Sequence, residues 1–157
     1  MQPQLSEPPL NSVAQTIQRI KTEATCLPLT MSLPLLKAIE EWEAEEYRNC
    51  MTRILDFFEM SVQWVNCYFL GFARESPITA QHNGVQCAVK IIDNKRPLSF
   101  GDIVNGIFNP LIDAMSKSVS DHPLVKSLST HVKNRKTDII VGSGKKRGVI
   151  KIRNDYK

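Results

Sequence analysis

At 157 residues, 42% apolar and 23% charged, the chain is long enough for one domain with a real core. Its composition is that of an ordinary globular protein, which excludes fibrous, low-complexity and disulfide-scaffold classes. The formal charge of +4 hides two opposite parts: residues 1–116 carry 9 basic and 13 acidic side chains (net −4), and residues 117–157 carry 11 and 3 (net +8).

The opening MQPQLSEPPLNS has neither a basic nor an apolar leader region, so no signal peptide is expected, and with Pro3, Pro8 and Pro9 residues 1–10 are expected to be disordered. From there, residues 11–157 are expected to form a single helical domain. Asn11 or Ser12 caps a helix to about Ala24, with Val13, Ile17 and Ile20 on one face. TCLPLTMSLP interrupts it. Ser32 then reads as an N-cap with Pro34 in the first turn, and the next helix, to about Tyr47, is expected to turn Leu35, Leu36, Ile39, Trp42 and Ala44 inward. Its other face is acidic, centred on Glu40–Glu46.

The run Asn49–Phe72 is apolar almost all round at helical period. Leu55, Phe58, Val62, Val65 and Phe69 are expected to be near fully buried. Arg53, Asp56, Glu59, Gln63 and Asn66 form a narrow polar stripe, expected to be a wet edge that meets a partner or the basic tail. Charges in its first half argue for a core helix rather than a membrane span. Thr79 is expected to cap a helix to about Asp93, with Gly84 weakening its start. Ser99 caps Phe100 to about Ser118, which Asn109-Pro110 should kink or split. A further helix follows with Leu124, Val125, Leu128 and Val132 as its stripe. The end is ambiguous: Ile139–Val141 and Val149–Ile152 around GSGKKRG read locally as a hairpin, whereas a bundle needs a loop and a closing helix there, and the second reading is preferred. The expected fold is an all-α bundle of about six helices.

No segment carries a complete catalytic or metal motif. Cys26, Cys50, Cys67 and Cys87 lack ligand spacing and read as free thiols of a reducing, cytoplasmic compartment. In GSGKK, Lys146 is followed by Arg147 rather than a hydroxyl residue, so the segment is expected to be a flexible basic loop and not a nucleotide cradle. His82, His122 and His131 have no nucleophile or carboxylate placed beside them as a catalytic pair; His122 fits a helix start and His131 a helix C-terminus. Glu45-Glu46 and Asp56–Glu59 lack the histidine of a di-metal pattern and read as solvated acids. No cofactor and no metal are expected. Lys133, Arg135, Lys136, Lys145, Lys146 and Arg147 form a basic tract that could take a phosphate-bearing partner such as RNA, though it lacks interleaved aromatics.

One resemblance adds to this. Leu55-Asp56-Phe57-Phe58-Glu59, then Ser99-Phe100-Gly101, then Arg153-Asn154 in the closing IKIRNDYK resemble the helical N-terminal domain of large bacterial signalling and defence proteins, and the ending is similar to the HEPN superfamily of helical bundles. The resemblance covers about residues 33–157. It implies a dimeric bundle in which an Arg-polar dipeptide, here Arg153-Asn154, is paired with a histidine a few residues on, as in the ribonucleases of that superfamily. No histidine follows Asn154 here, and IKIRNDYK reads as a helix cut in mid-run, so the chain is expected to be the N-terminal part of a longer protein. Arg153 also has a structural alternative, an ion pair with the acidic helix. Three functions are thus in view: a non-catalytic assembly or regulatory module working through a protein partner or self-association, with no membrane role; a ribonuclease half-site whose histidine lies beyond Lys157; and a basic-surface nucleic-acid binder.

Overall fold

The computed structural model describes residues 10–94, 96–130 and 148–156. Among these the fold is all-α, without a strand. The chain divides into two compact units, one ending at Phe57 and the other beginning at Phe58.

The first unit holds α1 (Leu10–Ala24), α2 (Leu29–Glu43) and the start of α3 (Tyr47–Glu75). Val13, Ile17, Ile20 and Ala24 recur at helical spacing in α1 and are its less exposed positions. Met31, Ala38, Ile39, Cys50 and Leu55 are buried. Lys21 Nζ reaches Glu43 Oε1 at 2.7 Å, and Arg53 Nε reaches Glu41 Oε1 at 3.2 Å. Burial, and then the nearby Glu41 carboxylate, push the Cys50 thiol above its ordinary pKa.

Helix α2 starts a turn earlier than expected. Pro28, extended at φ −53° and ψ 143°, is its N-cap, and the Ser32 hydroxyl donates instead to the Leu29 carbonyl at 3.3 Å inside the helix. A proline that cannot itself donate suits a flanking position, where orphan donors have no partner anyway. The helix also ends earlier, at Glu43, so Ala44 lies outside it and is exposed, and Trp42 is 44% exposed rather than inward-facing. The break is made by Glu45 at φ 62°, while the Glu46 N–H bonds back to the Glu41 carbonyl at 2.8 Å. That is the left-handed helix stop in which glycine is the usual residue, because a Cβ is penalised there. Glu45→Gly is therefore expected to stabilise the chain by about 0.5–1 kcal/mol, seen as a higher denaturation midpoint at unchanged slope.

The second unit contains the rest of α3, α4 (Pro77–Ala80), α5 (Asn83–Asp93), α6 (Phe100–Asp102), a π-helical turn (Ile103–Phe108), α7 (Asn109–Ser118), α8 (Pro123–Leu128) and α9 (Val149–Tyr156). Its core joins Val62, Val65, Phe69 and Ala73 of α3 to Val85 and Ala88 of α5 and to a long apolar run from Phe100 to Met115. Ser99 starts that run as expected. Its hydroxyl accepts from the Asp102 N–H, and the Asp102 carboxylate accepts from the Ser99 N–H, each at 3.1 Å. The backbone bond from Ser99, then the one from its hydroxyl, hold the Asp102 carboxyl below its ordinary pKa.

Asn109-Pro110 opens α7 directly after the π-helical turn Ile103–Phe108. Pro110 cannot donate to the Gly106 carbonyl, and the helix absorbs this by widening: the Asn109 N–H bonds to Val104, five residues back. Thr79 does not cap α5. It is 2% exposed and its hydroxyl donates to Ser76 Oγ at 3.0 Å. The cap is His82, whose Nδ1 accepts from the Gly84 N–H at 3.1 Å. The helix Val149–Tyr156 agrees with the closing-helix reading of the chain end, while residues 131–147 lie outside the described ones.

Candidate functional site

Three places were candidates from sequence, the Arg153-Asn154 dipeptide, the polar stripe of α3 and the basic tract, and part of the stripe meets Arg153. On α3, residues spaced alternately four and three apart share a face. Leu55, Glu59, Val62, Asn66, Phe69 and Ala73 follow that spacing. All but Glu59 are buried, and the Glu59 side chain is 20% exposed. The expected wet edge is therefore not uniformly wet. Asn66 is 5% exposed, with its Oδ1 lacking a hydrogen bond among the described residues. Arg53 and Asp56 are half-exposed and pair with each other at 3.6 Å, and Arg53 also holds Glu41. Gln63 donates to Glu59 Oε1 at 3.4 Å.

Arg153 is brought by α9 to Glu59. The two form a close ion pair, Arg153 being 8% exposed overall. Its guanidinium carbon lies 5.8 Å from the ring centre of buried Phe100, within cation–π range. Its Nε makes no hydrogen bond among the described residues. A guanidinium paired with a carboxylate and shielded by an aromatic ring is built to hold α9 in place; a phosphate would have to displace Glu59 to reach it. The partner is thus on the central helix rather than the acidic α2. The Asn154 side chain, and all six basic-tract candidates, Lys133, Arg135, Lys136, Lys145, Lys146 and Arg147, lie outside the described residues, as does His131.

The two described histidines have structural employment. His82 caps α5. His122 precedes Pro123 as the N-cap residue of α8, and its Nε2 is 3.1 Å from the Tyr68 hydroxyl while its ring meets Phe72 edge-on at 5.8 Å. Cys26, Cys67 and Cys87 are exposed free thiols and Cys50 a buried one. Among the described residues no three His, Cys, Asp or Glu side chains gather as metal ligands would, and no helix is long and apolar enough to cross a membrane.

What the sequence reading missed is the exposure of large apolar side chains along α3. Phe58, expected in the core, is 37% exposed, Trp64 39% and Tyr68 38%. Trp64 and Tyr68, one turn apart, stack with ring centres 5.6 Å apart and planes 10° from parallel. On α5, Val89 and Ile92 are 37% and 43% exposed, and Cys87 is exposed too. All five large exposed apolar residues described in the second unit thus lie on α3 or α5. Between these helices runs an apolar groove of about 360 Å³, floored by Leu70, Ala73 and Val85 and edged by Arg74, Val89 and Ile92. The signal available in the sequence was Trp64 and Tyr68 themselves, amphipathic aromatics at i and i+4, since their polar ends favour a boundary over a sealed core.

Comparisons of the chain with protein-family models, curated proteins and solved structures found no match.

Proposed function

We propose that the chain is a non-catalytic helical assembly or regulatory module that works through protein–protein contacts, in the setting its HEPN-like resemblance suggests, the cytoplasmic N-terminal part of a larger bacterial signalling or defence protein. The observation that carries this reading is the exposure of five large apolar side chains in the second unit, Phe58, Trp64 and Tyr68 on α3 and Val89 and Ile92 on α5. Exposed aromatic and apolar side chains are what protein-binding surfaces are enriched in. The burial of Arg153 against Glu59 supports the same side of the choice, because a phosphate-stabilising arginine has to be open to its substrate. Nor could Arg153 move a proton, since a guanidinium stays charged at neutral pH.

The test is incubation of the purified chain with labelled single-stranded RNA at neutral pH. No cleavage is expected. Cleavage that disappears in Arg153→Lys, with the fold of that variant verified by circular dichroism, would overturn the reading in favour of the ribonuclease. Binding without cleavage, weakening steeply with salt, would favour the basic surface of the +8 tail instead.

A further inference from the structure

We propose that the groove between α3 and α5 seats an amphipathic helix of a partner protein, one that carries a carboxylate just beyond the end of its apolar stripe. This rests on the assembly reading and names the chemistry of the partner.

Charge selects the occupant. The described residues that line the groove are apolar apart from Arg74 and Gln86, and Arg74 alone among them is charged. Arg74 is exposed and forms no ion pair with a described acid, Glu75 beside it included. The Gln86 amide is already committed, donating to the Ala80 carbonyl at 2.6 Å. The groove thus offers one cation beside an apolar wall. A guanidinium meets a carboxylate through a planar fork of N–H donors, and a basic side chain brought to the same point is repelled.

The order of the residues sets how the helix lies. Arg74 is in the last turn of α3, and Gln86, in the first turn of α5, is tied to Ala80 in the short connection between the two helices. That end of the groove is the polar one. Val85, Val89 and Ile92 lead away from it, spaced four and three apart, so they share one face of α5 over about 10 Å. A matching apolar stripe on a partner is three residues at the same spacing, two helical turns, with its acid one turn beyond the end that meets Arg74. Size separates a helix from a small ligand. Val89 and Ile92 stand at the edge, 37% and 43% exposed. A molecule confined to the floor leaves both in water, whereas a helix laid along the groove covers them.

The test is a titration of the isotope-labelled whole chain with a synthetic helical peptide, followed by amide NMR. The peptide is capped at both ends and built of alanine and glutamine, with three leucines at that spacing and one glutamate a turn outside them. Its twin has lysine in place of the glutamate. Saturable shifts at Ala73, Arg74, Val85, Val89 and Ile92 are expected, with the lysine peptide bound about threefold to tenfold more weakly. Arg74→Glu should reverse that preference, which a merely apolar groove would not do. Ile92→Glu, at an exposed position, should abolish binding of both peptides while keeping the helical circular dichroism. Failure to saturate at millimolar peptide overturns the proposal, as does equal affinity of the wild-type chain for the two peptides. Shifts centred on Trp64 and Tyr68 also overturn it, and leave the assembly reading standing on another face. Shifts of the groove amides that grow with chain concentration, without peptide, would make a second copy the occupant; saturation by decanoate in preference to the peptide would make it a hydrocarbon carboxylate. Either result overturns the partner helix. Cleavage in the RNA assay would instead remove the assembly reading and leave the groove to be judged by these peptides.

Discussion

Gly84→Ala should destabilise the chain by about 2–3 kcal/mol, although alanine is the better helix former. A Cβ built at Gly84 stands 2.4 Å from the Pro110 carbonyl oxygen, 3.1 Å from its carbonyl carbon and 3.3 Å from Ala114 Cβ. Helix α5 is therefore pressed directly onto the backbone where the π-helical turn gives way to α7. The opposing term is propensity, about 1 kcal/mol in favour of alanine in a helix interior and less near a helix start. The clash wins because the obstruction is main chain inside a continuous helix, with no rotamer to change; relief requires α5 to lift off a surface that contains buried Val85 and Ala88. Gly106 is the control. A Cβ there meets the Ile91 side-chain tip at 2.6 Å, which a half-buried isoleucine can swing away, so Gly106→Ala should cost clearly less. Urea denaturation of both variants measures the difference, and equal midpoints would mean that α5 yields freely and is not locked to Pro110.

That close approach also marks how far the sequence could be read. Ser99 was legible as a cap because the capping box is local: the hydroxyl, the acid three residues on and the apolar run all lie within one turn. The position of Gly84 was visible, its reason was not, since the atom it makes room for is 26 residues away and appears only when α5 packs on α7. Pro110 was read as a break because its missing N–H forbids an α-helical bond; that the backbone would widen into a π-helical turn there depends on the packing of Ile103, Val104, Ile107 and Phe108, all buried. On α3, a helix apolar almost all round was expected to be buried except along its polar stripe. The polar and apolar stripes were treated as separate faces, yet Glu59 and Asn66 fall on the same four-three repeat as Leu55, Val62 and Phe69. Periodicity alone cannot say which of two overlapping stripes faces inward. The deciding fact is that Arg153, distant in sequence, needs an acid, and Glu59 supplies it. The same fact makes part of the polar stripe, expected to be a wet edge, internal structure.

Removing either member of the Arg153–Glu59 pair should therefore cost stability, and unequally. Glu59→Leu leaves the more deeply buried charge alone: the Arg153 side chain is 9% exposed against 20% for Glu59, and its Nε already goes without a partner among the described residues. A loss of about 4 kcal/mol is expected. Arg153→Met leaves a carboxylate that still touches water and keeps the Gln63 amide, so about 3 kcal/mol is the corresponding expectation. The double variant, Glu59→Leu with Arg153→Met, should be more stable than either single one, because a pair of apolar side chains of similar bulk carries no desolvation cost and can pack near Phe100. A double-mutant cycle by chemical denaturation reads the coupling directly. The experiment also weighs function. A side chain retained for chemistry is commonly neutral or even costly to the fold, so its removal leaves stability unchanged or improved. Unchanged stability in Arg153→Met would mean that the burial of this arginine does not hold α9, and would return weight to a phosphate-handling role; a loss relieved by the second substitution is what a structural lock requires.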